Sequence, residues 1–225
     1  MPILIAVLIL ILSAPAQAGS GVWTGQALTV DLAPDKSRSP LLWLDLHERQ
    51  TGETFNAIVR PGVGVKLLPQ LTLWTGYGWI PTVGDSVSHE NRIWQQAIGT
   101  SNLGAAKLMA RLRFEQRFLE GASNVGLRLR AFGRLGAPIR GPVGLSLWDE
   151  AFIRVNENAG NGDPFDQNRI FAGFFHQSPG IRVEMGYLNL LRGSEPTVDH
   201  LAAAYVFISP KLKPAPPPAG ASTAP

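Results

Sequence analysis

His176-Gln177-Ser178 is the stretch of this chain whose residue types could make a nucleophile, with Glu184 a short way downstream. A serine needs a base to take its proton, and the base needs a carboxylate to orient it. A lipid-modifying hydrolase working at a membrane boundary is the reading this trio would support. Ser178-Pro179-Gly180, however, reads as a turn. The alternation that would set His176 and Ser178 on one face therefore ends there, and His176 reads more plainly as an interfacial side chain. No catalytic residue is expected. The other histidines, His47, His89 and His200, are scattered without metal-ligand spacing, and the chain has no cysteine. Neither a metal nor another cofactor is expected.

The second chemistry is that of ordered charge. Residues 107–118 run Lys-Leu-Met-Ala-Arg-Leu-Arg-Phe-Glu-Gln-Arg-Phe. At period two, Arg111, Arg113, Glu115 and Arg117 share one face, while Leu108, Leu112, Phe114 and Phe118 share the other. The next segment repeats the pattern with Arg128, Arg130 and Arg134. Continued along the chain, the charged face collects Arg92, Glu150, Arg154, Arg169, Arg182 and Glu184. Guanidinium and carboxylate groups pair through parallel hydrogen bonds, so these residues can form a ladder that fills the interior of a narrow barrel. Arginines outnumber acids in the set, and rings of unpaired arginine favour anions. A narrow anion-preferring pore, passing small anionic solutes, is the alternative.

These rows need strands to carry them. Alternating segments recur at Val22–Asp31, Leu41–Arg49, Ala57–Leu67, Leu71–Ile80, His89–Ile98, Lys107–Leu119, Asn124–Leu135, Val143–Val155, Gln167–His176, Ile181–Leu190 and Asp199–Ile208. The fold class is all-β, a closed antiparallel transmembrane barrel with apolar side chains in lipid and charges inside. Single-chain bacterial barrels have even strand numbers, so twelve strands are expected, with ten as the alternative. Leu68-Pro69-Gln70, Gly136-Ala137-Pro138 and Gln177–Gly180 read as short turns. Pro81–Ser88, Asn156–Asp166 and Arg192–Val198 read as longer loops. The tryptophans at 23, 43, 74, 79, 94 and 148 fit boundary girdles or lumen packing better than a sugar-binding platform. A soluble, lipocalin-like periplasmic binding barrel would exchange inside for outside.

Residues 1–18 read as a cleaved secretory signal peptide: an apolar Ile3–Leu12 run precedes Ala16-Gln17-Ala18. The barrel is assigned to 19–210. The Pro- and Ala-rich 211–225 segment reads as a disordered tail. Hydrophobic residues make up 45% of the chain and charged residues 16%. That charged share is low for a soluble domain. The net charge of +3 sits on alternating strands of an exported chain, which argues against a nucleic-acid partner.

The chain resembles a family of uncharacterised bacterial outer-membrane barrels classed as a domain of unknown function. The residues that carry the likeness are Glu90–Gln96, Arg111–Arg117, Arg128-Leu-Arg130, Trp148–Phe152, Phe165–Gly173 and Glu184–Asn189. The resemblance covers roughly 20–208. It implies a β-barrel in the outer membrane of a Gram-negative cell, with outer-membrane lipids and the outer-membrane assembly machinery as partners. It implies no activity.

Overall fold

The structure is a computed structural model and describes residues 19–34, 36–156, 164–193 and 198–210. The signal-peptide and tail assignments at 1–18 and 211–225 lie outside the described residues. No helix occurs among those described. The strands are β1 (Ser20–Asp31), β2 (Pro40–Thr51), β3 (Thr54–Leu68), β4 (Leu71–Val83), β5 (Val87–Leu103), β6 (Ala106–Leu119), β7 (Gly126–Arg140), β8 (Val143–Arg154), β9 (Phe165–Ser178), β10 (Ile181–Arg192) and β11 (Val198–Ile208). Each pairs with its neighbours in sequence, and β1 pairs with β11 to close the barrel.

Eleven strands among the described residues, closed into a ring, correct the expectation of twelve, or ten. Alternating up and down, an odd number leaves the first and last strands pointing the same way. The seam is therefore parallel, registered from Ser20↔His200 to Leu28↔Ile208, while the other pairings are antiparallel. The even-number rule belongs to barrels whose closing pair is antiparallel. The alternating segments themselves correspond one to one with the strands.

Glycine makes several of the hairpins tight. Gly52, Gly104, Gly141 and Gly180 hold positive φ between paired strands. The connections β3–β4, β5–β6, β7–β8 and β9–β10 are short and share one rim. The opposite rim carries the longer β6–β7 and β8–β9 connections. Two expected connections differ. Gly136-Ala137-Pro138 lies inside β7, because the chain absorbs Pro138 at a bulge and turns only at Gly141. Pro81–Ser88 is mostly ladder, with only the Gly84–Ser86 stretch outside β4 and β5.

Trp94 shows how the glycines shape the interior. It is fully buried, donates its indole N–H to the Tyr77 carbonyl at 3.1 Å, and lies across Gly62 of β3 and Gly76 of β4. A Cβ on Gly76 would overlap the ring and the Pro61 carbonyl. Gly76→Val is expected to destabilise the barrel by about 1–3 kcal/mol. Gly99→Val, where a Cβ meets open space, should do far less. Urea unfolding of the two variants in detergent micelles checks the difference.

Most of the tryptophans pack inside. Trp23 joins Phe171, Leu188, Leu190, Leu201 and Tyr205, with Trp148 against them. Trp74 and Trp94 join Leu41 and Ile98, with Trp43 alongside. Trp79 instead faces outward, stacked on His89. Exposed Phe55 and Phe118 also lie towards the long-loop rim. Of the six tryptophans Trp79 alone faces outward; the others pack in the interior.

Candidate functional site in the barrel interior

Alternation decides which side chains meet inside. On β6, Arg113 is 1% exposed and Glu115 0%, whereas Leu112 between them is 59% exposed. Glu184 on β10 is 0% exposed and its neighbour Met185 62%. Charge faces in and aliphatic surface faces out, the reverse of a soluble sheet.

The interior charges form connected clusters. Glu115 accepts from Arg128 Nη2 at 2.5 Å and from Arg130 Nη1 at 2.6 Å, both across the β6–β7 ladder. Arg113 and Arg92 stand 3.8 and 3.9 Å from the same carboxylate. Arg113 also donates to Gln96 Oε1 at 2.8 Å and lies over the Trp94 ring. Arg130 continues the chain of pairs to Glu150 at 2.6 Å. Glu150 also accepts from Arg111 at 2.5 Å and faces Arg169 at 3.5 Å. Arg128 reaches Asp166 at 2.8 Å, and Asp166 accepts from Arg154 at 2.9 Å. Arg117 and Arg92 each chelate Glu90 through two bonds.

A second cluster holds Glu184. It accepts from Arg182 Nε at 2.6 Å, from Arg134 Nη1 at 3.1 Å and from Ser146 Oγ at 3.1 Å. The structure therefore gathers all the sequence-derived charged residues inside, but in two groups. Arg92, Arg111, Arg113, Glu115, Arg117, Arg128, Arg130, Glu150, Arg154 and Arg169 belong to the first. Arg134, Arg182 and Glu184 belong to the second. Glu115 also has partners other than its flanking arginines: Arg117 turns to Glu90 instead.

Several members lie outside the sequence-derived set. Glu90 has the parity of Arg92 and was readable from that. Asp45, His47 and Arg49 follow Leu41 and Trp43 on the inner face of β2, and that face was equally legible. Asp45 pairs with Arg60 of β3 at 2.5 Å and with His47 at 2.7 Å. Asp166 was hidden, because its parity is opposite to that of Arg169. A register shift pairs Phe152 with Gln167 and Ile153 with Phe165, and the Asp166 carboxylate meets inward-facing Arg128 and Arg154 there.

The nucleophile trio is not assembled. Ser178 Oγ and His176 Nδ1 are 3.5 Å apart, and His176 is exposed. Glu184 is buried on the opposite face of the sheet and committed to Arg182 and Arg134. It cannot orient His176. Among the described residues no group of His, Cys, Asp and Glu is arranged to hold a metal.

Two cavities flank the central pairs. One of about 430 Å³ reaches Gly180 and Ser209 at the short-turn rim. The other, about 520 Å³, is lined by Glu90, Arg92, Arg117, Asp166 and Arg192 towards the long-loop rim. Trp23, Arg49, Arg130 and Arg169 line both and form the partition between them.

The comparisons with known proteins agree with one another. An uncharacterized protein of Methylorubrum extorquens is 33% identical over 164 residues, covering 67% of this chain and 71% of its own length. No solved structure matches. The family model described as protein of unknown function (DUF2490) matches residues 20–199, and the chain belongs to that family.

Proposed function

We propose that the chain is an integral outer-membrane β-barrel of a Gram-negative cell, exported by a signal peptide cleaved after Ala18. Its interior is held by an Arg/Glu network and it has no catalytic centre of its own. The observation that carries this reading is the inversion of burial: full burial of Glu115 and Glu184 beside exposed Leu112, Met185 and Val63. Water around the whole barrel would leave this apolar wall unsatisfied, whereas hydrocarbon is its natural solvent. Strands of 11 to 17 residues meet or exceed the roughly 9–11 that a tilted strand needs to span a bilayer. Asp149 interrupts the outer band and accepts a hydrogen bond from Asn168 at 2.6 Å.

Cell fractionation tests the reading. The protein is expected in the outer-membrane pellet, resistant to urea or carbonate extraction. Recovery in the soluble periplasm would overturn it and favour the lipocalin-like alternative.

A second reading, the narrow anion-preferring passage, draws on the surplus of arginine over acid and on the two cavities that meet at Arg49, Arg130 and Arg169. The packed central pairs favour the occluded barrel, for which planar-bilayer recordings should stay at background. Anion-selective steps that reverse their preference in Arg111→Glu would establish the passage instead.

A further inference from the structure

The cavity at the short-turn rim has a chemical bias of its own. Among the described residues, the buried side-chain atoms that find no hydrogen-bond partner are nitrogens, with no oxygen among them. Nine of them belong to residues lining this one cavity: eight on the indoles of Trp23 and Trp43 and the guanidiniums of Arg49, Arg60, Arg111, Arg169 and Arg182, and one on His47. The eight indole and guanidinium nitrogens only donate, while His47, whose Nε2 meets Asp45, offers its Nδ1 as the one exception. The cavity is therefore rich in donors and short of acceptors. The acids within reach are already engaged, Glu150 by Arg111 and Arg130, and Asp45 by Arg60 and His47.

Arg49 and Arg169 sharpen the point. Their guanidinium carbons lie 4.2 and 4.7 Å from the Trp23 ring centre. Arg169 has one distant acid, Glu150, at 3.5 Å. Arg49 has no ion pair with an acid among the described residues. Two cations held against one indole at the inner end of a cavity are complementary to an anion that bridges them. Water would serve less well, because it brings donors as well as acceptors to a site whose unpaired nitrogens are nearly all donors.

Much of the remaining lining is aromatic, with Arg134, Gln177 and Arg182 towards the rim. Phe132, Trp148, Tyr205 and Phe207 line the cavity, with ring centres 5.6 Å apart for Phe132 and Trp148 and 6.3 Å apart for Tyr205 and Phe207. A volume of about 430 Å³ is that of a small-molecule pocket. We infer that the cavity binds a small organic monocarboxylate with a flat apolar body. The carboxylate meets Arg49 and Arg169, the body lies among the aromatic rings, and entry is from the short-turn rim. The inference shares its interior with the passage reading but depends only on binding. Binding without conductance keeps it and ends that reading.

The test is calorimetric titration of the full-length mature barrel, folded in detergent micelles, with benzoate, its uncharged analogue benzamide, and inorganic phosphate. Saturable binding of benzoate is expected, with benzamide and phosphate each weaker by about tenfold or more. Benzamide equal to benzoate would remove the need for the charge, and phosphate equal to benzoate would remove the aromatic wall; either overturns the inference, as does no benzoate binding. Arg49→Gln, checked for folding by heat-modifiable gel migration, should weaken benzoate by about tenfold. Unchanged affinity in folded Arg49→Gln also overturns it. The comparison of ligands on the unaltered protein stands even if the variant fails to fold.

Discussion

Replacing Glu115 with glutamine is expected to lower the stability of the barrel by about 3–5 kcal/mol, the usual cost of removing one partner from a buried ion pair. The carboxylate is fully buried and sits among Arg92, Arg113, Arg128 and Arg130. Glutamine keeps the size and one acceptor but cancels the charge that holds four guanidiniums together. The strands most affected should be β5, β6 and β7, which carry those groups. Glu48→Gln is the matching control. Glu48 is exposed on the outer face, accepts from Thr24 at 3.2 Å, and should change stability by no more than about 0.5 kcal/mol. Urea unfolding in phospholipid vesicles, followed by tryptophan fluorescence, reads both. Equal effects at the two positions would show that the central network does not hold the fold.

Leu112→Arg is the second large effect. Leu112 lies mid-strand on β6, pointing away from the interior. If lipid surrounds it, arginine there costs about 2–4 kcal/mol. If water surrounds it, an arginine at a 59% exposed position is close to neutral. The same substitution therefore separates a membrane wall from a soluble one by a measurable margin. Stability in vesicles unchanged within error would sink the membrane reading. The neighbouring Arg113 faces the opposite way, so two adjacent residues have inverted tolerances: charge inside, aliphatic surface outside.

Much of this was legible because a strand has only two faces. The alternation of residues 107–118 specified β6, and the same rule located Arg128, Arg130, Glu150 and Glu184 on the inner face. What failed was whatever period two does not encode. Closure is a property of the whole ring, so the parallel β1–β11 seam left no local mark, and a parity rule supplied the wrong number. Asp166 was lost at a bulge, which breaks the period where the acid is needed. His176, Ser178 and Glu184 looked close in sequence, yet the pleat puts the acid on the far side of the sheet. The inward aromatics were ambiguous, because an alternating strand does not say which face turns outward until its charges are weighed. Asp45 and Arg49 were within reach of the rule, but β2 carries fewer charges than β6 and its inner face was easily passed over.

The parallel seam also makes the barrel wall a one-way path. β1 and β11 both run from the long-loop rim to the short-turn rim. The backbone enters the wall at one mouth and leaves it at the other, separated by the barrel's height, roughly 30 Å for tilted strands of this length. A short linker from Ile208 back to Ser20 has no route, so a circular permutant would need a linker long enough to span that height. Nor can the seam form early. Its two edges lie at opposite ends of the strand sequence, and closing them is the contact of greatest sequence separation in the fold. Until β11 is in place, both edges of the sheet remain open to pairing with another chain.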